Sequence, residues 1–296
     1  MTPTSRRERN SVGQLARFVV EREGRLIGLA VLVFLLVAWE GLMRGWWADL
    51  LWPVLGESAE KLRIRRIFIS SPTLVAASAW QLYLVTGEIW RHLAVSAFEL
   101  VSGLGIAIVI GIPFGLVTGW YRRLSYAAAP FLTALNATPQ VALLPLLVIW
   151  IGTGMATRIA IIVLLAVLPI AIASQAAVRT TDPRLLRLAR SFSSSQWGLF
   201  RLIILPASLP FIIGGLRLAI GRAMIGIVVG ELYGSALGLG LMINQAGSRF
   251  QTDKVFVGVL TMVAAGLMLT GLLRRLERRL DRWRPPAQST MSGGAA

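Results

Sequence analysis

The sequence predicts an all-α polytopic membrane protein with about six transmembrane helices. Three observations point there. Only 15% of the 296 residues are charged, against about 25% in soluble domains, and 55% are hydrophobic. Several uncharged runs reach or pass the ~20 residues that cross a bilayer. The arginines cluster between and beside those runs, where positive charge sets topology.

The same composition excludes other classes. Net charge is +16 and comes almost wholly from arginine, since Lys61 and Lys254 are the only lysines. A basic balance can signal nucleic acid. Here the arginines flank hydrophobic runs, so the expected partner is the lipid bilayer, with no nucleic acid. There is no cysteine, hence no disulfide, thiolate nucleophile or cysteine metal site. The single histidine, His92, reads as a satisfied polar residue, and no metal site is expected.

Residues 1–25 form a basic arm with Arg6, Arg7, Arg9, Arg17, Arg22 and Arg25. No small-residue cleavage site follows the first apolar run, so residues 26–43 are expected to be an uncleaved first span. Trp39, Trp46, Trp47 and Trp52 suit an aromatic belt at the outer interface. Residues 44–91 form a connection of mixed charge. Within it, Ser71 and Pro72 read as a helix cap and first turn, and the stretch 73–85 is expected to lie amphipathically on the membrane surface.

Residues 92–273 make up the core. Span two runs over 100–121, with Gly103, Gly105, Gly111 and Gly115 at the spacing that lets helices approach. Arg122 and Arg123 mark a short cytoplasmic turn. Nothing between Arg123 and Arg158 is charged, which is too long for one crossing, and Pro130, Pro139, Pro145, Gly152 and Gly154 interrupt it. Proline removes a backbone donor. Asn136, Thr138, Pro139 and Gln140 therefore mark either a plain proline kink or a bend beside a watery path.

Span four covers 159–178, and span five roughly 208–232. Span five carries Arg217, Arg222 and Glu231, charges that are costly in lipid and face an interior or a partner. Arg217 and Arg222 either attract an anionic solute or pair with Glu231 and hold helix ends. A polar loop is expected at 233–252 and span six at 255–273. A basic tail, 274–296, closes the chain. With the N-terminus inside, the tail, the Arg122 turn and segment 179–205 all fall in the cytoplasm, where most of the arginine then lies.

Segment 182–206 organises the rest. Asp182 and Pro183 start a helix. Leu185, Leu186, Leu188, Ala189 and Phe192 form an apolar stripe, with Arg184, Arg187 and Arg190 largely off it. Ser193, Ser194 and Ser195 break that helix. A second short helix, 196–204, is expected to end before Pro206. The resulting knob fits a groove on another protein, or else lies as a basic loop on anionic lipid.

This segment resembles the cytoplasmic loop of binding-protein-dependent ABC importer permeases. Ala189, Ile203, Leu205 and Pro206 match that loop's pattern at its spacing. Arg187, Leu188 and Ser193 stand where the pattern has Glu, Ala and Gly. Residues 142–154, 190–192, 205–223 and 228–240 resemble blocks of the nitrate, sulfonate and taurine subfamily, and the similarity covers roughly 70–275.

The resemblance implies a type I ABC importer permease fold with a cytoplasmic coupling helix. It also implies a bacterial inner-membrane location with both termini cytoplasmic. The implied assembly is a permease pair, expected as a homodimer, with two ATPase subunits and an external solute-binding protein. ATP and Mg belong to the ATPase, and this chain binds no cofactor and is not an enzyme. Consistently, it has no Gly-x-x-x-x-Gly-Lys-Ser/Thr phosphate loop. The expected solute is a small anion such as a sulfonate, taurine or nitrate. A vitamin-precursor pyrimidine is the alternative. A gradient-driven carrier would need more intramembrane carboxylates than Glu231 and Glu99.

Overall fold

The computed structural model describes residues 24, 26–46, 69–192, 195–233 and 236–280. The basic arm before Leu26, the tryptophans at 47 and 52, Ser193, Ser194 and the tail beyond Leu280 lie outside them. The described residues are helical and fall into two compact units, 1–81 with 246–257, and 82–245 with 258–296.

The first unit contains α1 (Leu26–Arg44) and α2 (Pro72–Trp80). Leu26 to Val37 of α1 is exposed and apolar, as a lipid-facing span requires. Glu40 near its end accepts from the Thr73 amide (3.1 Å) and hydroxyl (2.9 Å) and from Arg44 Nε (2.6 Å). Ser71 caps α2 by accepting from the Leu74 amide at 3.4 Å, and Pro72 occupies the first turn. The expected amphipathic surface helix is corrected here. α2 ends at Trp80, passes into one π turn (Gln81–Val85) and has no strong polar face. Ser78 donates to the Asp253 carboxylate, and Trp39 packs on Phe256 at 5.1 Å.

The second unit is built on α3 (Glu88–Trp120), α6 (Met155–Arg179) and α8 (Gln196–Leu232). Between α3 and α6 lie α4 (Arg122–Ala137), a 3-10 turn (Gln140–Leu143) and α5 (Leu144–Ile151). α7 (Pro183–Ser191) precedes α8. α9 (Leu239–Ser248) and α10 (Thr252–Leu280) follow it, and residues 246–257 of that stretch belong to the first unit.

Helices α3 and α6 run parallel. A Cβ on Gly103 would lie 2.6 Å from Ile162, one on Gly111 3.0 Å from Ile170, and one on Gly119 2.8 Å from Val178, so partner numbers rise together. Gly105 faces open space and packs nothing. Parallel neighbours force the chain to return between them. The return is the pair α4 and 140–151, bent by 92°. Counted as one crossing, it brings the described spans to six.

Helix α8 is antiparallel to α6, since Gly215 meets Ala173, Gly226 meets Ile162 and Gly230 meets Arg158. α10 is antiparallel to α8, with Met224 near Gly266 and Arg217 on Glu277. These glycines are packing notches that let backbones approach. Gly152, between α5 and α6, has φ +90° and ψ −176°, a conformation open to glycine alone.

Three boundaries differ from expectation. α3 starts at Glu88 rather than near residue 100, and its 33 residues, about 50 Å at 1.5 Å each, outreach the ~30 Å hydrocarbon core. Residues 196–204 are not a separate helix ending before Pro206 but run without a break into span five. The π turn Phe200–Ile204 absorbs the proline, whose missing N–H and bulky ring disturb a regular α ladder. Finally, the expected polar loop 233–252 contains the ten-residue α9.

Candidate functional site

Three features of the second unit bear on function, beginning at one end of the bundle. The helix directions place the α3–α4 turn, α7 and the C-terminal part of α10 at the same end. That end carries Arg122, Arg123, Arg179, Arg184, Arg187, Arg190, Arg201, Arg274, Arg275, Arg278 and Arg279. Asp182 Oδ1 caps α7 by accepting from the Arg184 amide at 2.7 Å, and Pro183 fills the first turn. Ser195 Oγ caps α8 through the Gly198 amide at 3.1 Å.

The apolar stripe of α7 is divided between two surfaces. Leu186 turns inward onto the cluster of Leu116, Val178, Ile204 and Ile212. Leu185, Leu188 and Phe192 point outward, Phe192 77% exposed, and no residue of α7 is buried. Ala189 lies on the same exposed helix as Arg184, Arg187 and Arg190. Trp197 stacks on Phe200 at 5.8 Å, and Phe200 reaches Trp120 at 6.0 Å, joining the knob to α3. Ile203, Leu205 and Pro206 lie in the continuous helix behind it, with Leu205 against the same cluster. The knob is thus anchored by a few side chains and offers an apolar, arginine-rimmed surface.

The broken helix is the second feature. α4 ends with the Thr138 amide and hydroxyl both donating to the Ala134 carbonyl, at 3.0 and 2.8 Å. Pro139 then starts the 3-10 turn. Asn136, Thr138, Pro139 and Gln140 line a cavity of about 540 Å³ with Leu165, Arg222 and Ile225. Gln140 is 4% exposed, and neither of its amide atoms has a hydrogen-bond partner among the described residues. Arg222 sits near the middle of the bundle's height, opposite the centre of α6, on the outward face of α8. Central charge costs ~2.5–3.5 kcal/mol on insertion scales, so such a face meets water or protein rather than lipid.

The third feature lies near the far end. Ser96, Glu99 and Glu231 are buried, the two carboxylates completely. Arg158 Nε donates to Glu99 Oε1 at 2.7 Å, tying α3 to α6. Glu231 accepts from the Ser96 hydroxyl, from the Gly240 amide at 2.5 Å and from the Leu241 amide at 3.4 Å. Ser96 Oγ in turn accepts from the Leu239 amide at 2.9 Å, and the Gly238 amide donates to His92 Nδ1 at 3.0 Å. The first amides of α9, which no helical carbonyl can reach, are thereby satisfied by side chains of α3 and α8. Gly238, with φ +150°, sits so close to the Glu231 carboxylate that no Cβ fits. Glu231 is a latch for α9.

The structure therefore separates residues that the sequence groups together. Asn136, Thr138, Pro139 and Gln140 share one cavity. Arg217 does not pair with Glu231, because Glu277 of α10 holds it at 2.7 Å. Arg222, left open between two roles, joins the broken helix. The Glu99–Arg158 pair and the His92–Ser96 latch were not anticipated. Their visible signal is one acid, Glu99, and one base, Arg158, each at the edge of a long charge-free run, but only the parallel packing of α3 and α6 brings the two together.

Comparison with known proteins returns one family. Residues 111–282 match the model for the inner membrane component of binding-protein-dependent transport systems. The taurine transport system permease protein TauC of Escherichia coli K12 is 33% identical over 68% of this chain and 73% of its own length. The riboflavin transport system permease protein RibX of Chloroflexus aurantiacus is 35% identical over 73% of this chain and 80% of its own. In fold, the chain is similar to the methionine ABC transporter MetNI in inward-facing conformations, with TM-score 0.56 and 19% identity, covering 68% of this chain and 98% of that one.

Proposed function

The chain belongs to the family of binding-protein-dependent transport system inner membrane components, and from that premise we propose that two copies form the path of an ATP-driven importer for a small sulfonate. It is a multi-pass transport subunit, not an enzyme, and ATP hydrolysis is the work of a separate subunit. Membership removes the gradient-driven reading.

The observation that carries the coupling mechanism is the divided stripe of α7. Leu186 fixes the helix to the bundle while Leu185, Leu188 and Phe192 face outward. A helix so mounted transmits a push. Two ATPase subunits, holding ATP and Mg, each grip one knob around Arg184–Phe192. When they close, each knob moves its own α8, because residues 196–232 form one continuous rod. The broken helix and α8 of the two copies then part or meet, giving alternating access. Both termini and the arginine-rich end face the cytoplasm, as the positive-inside bias favours. The loaded binding protein docks at the opposite end.

The sulfonate class is supported by the taurine relative and by the uncovered arginine of the broken-helix cavity. The riboflavin relative favours a second reading, an uncharged vitamin or pyrimidine precursor. Uptake by vesicles carrying this permease with its ATPase and binding-protein partners decides between them. Binding-protein-dependent, ATP-dependent accumulation of taurine or methanesulfonate is expected. Accumulation of riboflavin or a pyrimidine alone would replace the solute and keep the importer.

A further inference from the structure

We propose that Arg222, Gln140 and Asn136 form an anion site inside the permease, midway across the membrane, through which the solute's acidic group passes. It rests on the reading of the broken-helix cavity as part of the transport path. Four observations converge on it. Arg222 lines the cavity and lies near the middle of the bundle's height, where positive charge is least tolerated without water or a counter-charge. Among the described residues no carboxylate lies within ion-pair distance of it, whereas Arg158 and Arg217, in the same bundle, each have one.

The third observation is Gln140. It lines the same cavity, is 4% exposed, and among the described residues has no partner for either amide atom. Buried amides are almost always hydrogen-bonded, so an unsatisfied one calls for a partner such as a water or an ion. The fourth is the break itself. Pro139 ends α4, so Asn136 and Gln140 flank an interrupted helix, and irregular backbone at this depth is tolerated beside a watery cavity.

The donor chemistry selects the ligand. Arg222 offers a planar fork of N–H groups that suits a tetrahedral oxyanion or a carboxylate. Gln140 and Asn136 can each turn an NH₂ toward it. The Thr138 hydroxyl cannot join as a donor, because its proton is committed to Ala134. The remaining walls, Leu165 and Ile225, are apolar and suit a short alkyl chain. The site thus fits a compact organic anion, and it filters by charge a second time, after the binding protein has chosen.

The chain has no cysteine, so single cysteines report cleanly. Val141→Cys and Ile225→Cys, both beside the cavity, are placed separately in the complete importer. Each is treated with a sulfonate-bearing and with a trimethylammonium-bearing methanethiosulfonate. The anionic reagent is expected to win by about five- to tenfold over its ratio at a free thiol, as one nearby positive charge in a medium of intermediate dielectric predicts. Arg222→Gln should abolish the bias and Arg222→Lys should keep most of it. Methanesulfonate should protect the thiol, and uptake through Arg222→Gln should fall by about tenfold or more, the worth of a charge-assisted hydrogen bond. Binding-protein-stimulated ATPase activity should remain.

Modification without charge bias, bias that survives Arg222→Gln, or no modification by either reagent at both positions would overturn the site. The solute assignment fails differently. If no sulfonate is taken up while the bias and its dependence on Arg222 persist, the anion site stands and the proposed solute falls. If wild-type and Arg222→Gln importers take up methanesulfonate equally, the solute stands and the site falls.

Discussion

At the scale of single residues, Glu231 joins α8 to both α3 and α9. Glu231→Ala strips the acceptor from the Gly240 and Leu241 amides and the Ser96 hydroxyl, all at a buried site. Unsatisfied buried donors cost about 1–3 kcal/mol each, so a large drop in thermal midpoint of the detergent-solubilised protein is expected, together with loss of uptake. Glu231→Gln keeps an acceptor oxygen and should fall between alanine and wild type. Equal midpoints for alanine and wild type would show that α9 does not depend on the latch. The Glu99–Arg158 pair predicts a different pattern. Either single replacement, Glu99→Leu or Arg158→Met, breaks the buried ion pair and should cost about 3–5 kcal/mol, whereas the double replacement should recover most of that. A double-mutant cycle on unfolding tests it, and additive losses would refute the coupling.

At the scale of elements, the contact between α3 and α6 depends on absent side chains. Gly111→Leu places a branched chain against Ile170 and the Val167 carbonyl, both already 3.0–3.1 Å from a bare Cβ. Overpacking of this kind typically costs about 1–3 kcal/mol, and here it should also reduce membrane yield. Gly105→Ala, which meets nothing within 4 Å, should be neutral or slightly stabilising. If both behave alike, the glycines do not set the approach of the two helices. For α7 the measurement is co-purification of the ATPase. Phe192→Asp and Leu188→Asp should abolish it with the permease's own thermal midpoint unchanged, because both side chains are outside the core. Leu186→Asp should instead lower the midpoint, since Leu186 is packed on the bundle. Undiminished association in all three would remove α7 as the coupling helix.

At the scale of the whole molecule, orientation is the property that the remaining roles presuppose. Cysteine placed at Arg187 should react with a membrane-impermeant maleimide only after the cytoplasmic face is opened, and cysteine at Thr86, which precedes α3, should react in intact cells. The reverse pattern would put the arginine-rich end outside and end the coupling mechanism. Much of this architecture was legible in the chain. Charge-free runs of spanning length mark the crossings, because lipid excludes unpaired charge whatever the neighbours do. The Asp182–Pro183 and Ser71–Pro72 starts were legible too, because capping depends only on adjacent residues. Interactions between distant segments were not. That Arg158 answers Glu99, that Glu231 serves the amides of α9 rather than Arg217, and that Arg222 faces the break at Pro139 follow from helix direction and rotation. Local composition leaves both undetermined. Pro206 likewise looked like a terminus, because the π turn that accommodates it depends on the packing of Phe200 and Ile204. The sequence by itself determined that the chain lives in a membrane and where it crosses, since hydrophobic transfer is local and summed over a run. Only the tertiary structure decided that Glu99 meets Arg158, that Arg217 meets Glu277 and that Arg222 meets the broken helix, since pairing is a property of positions in space.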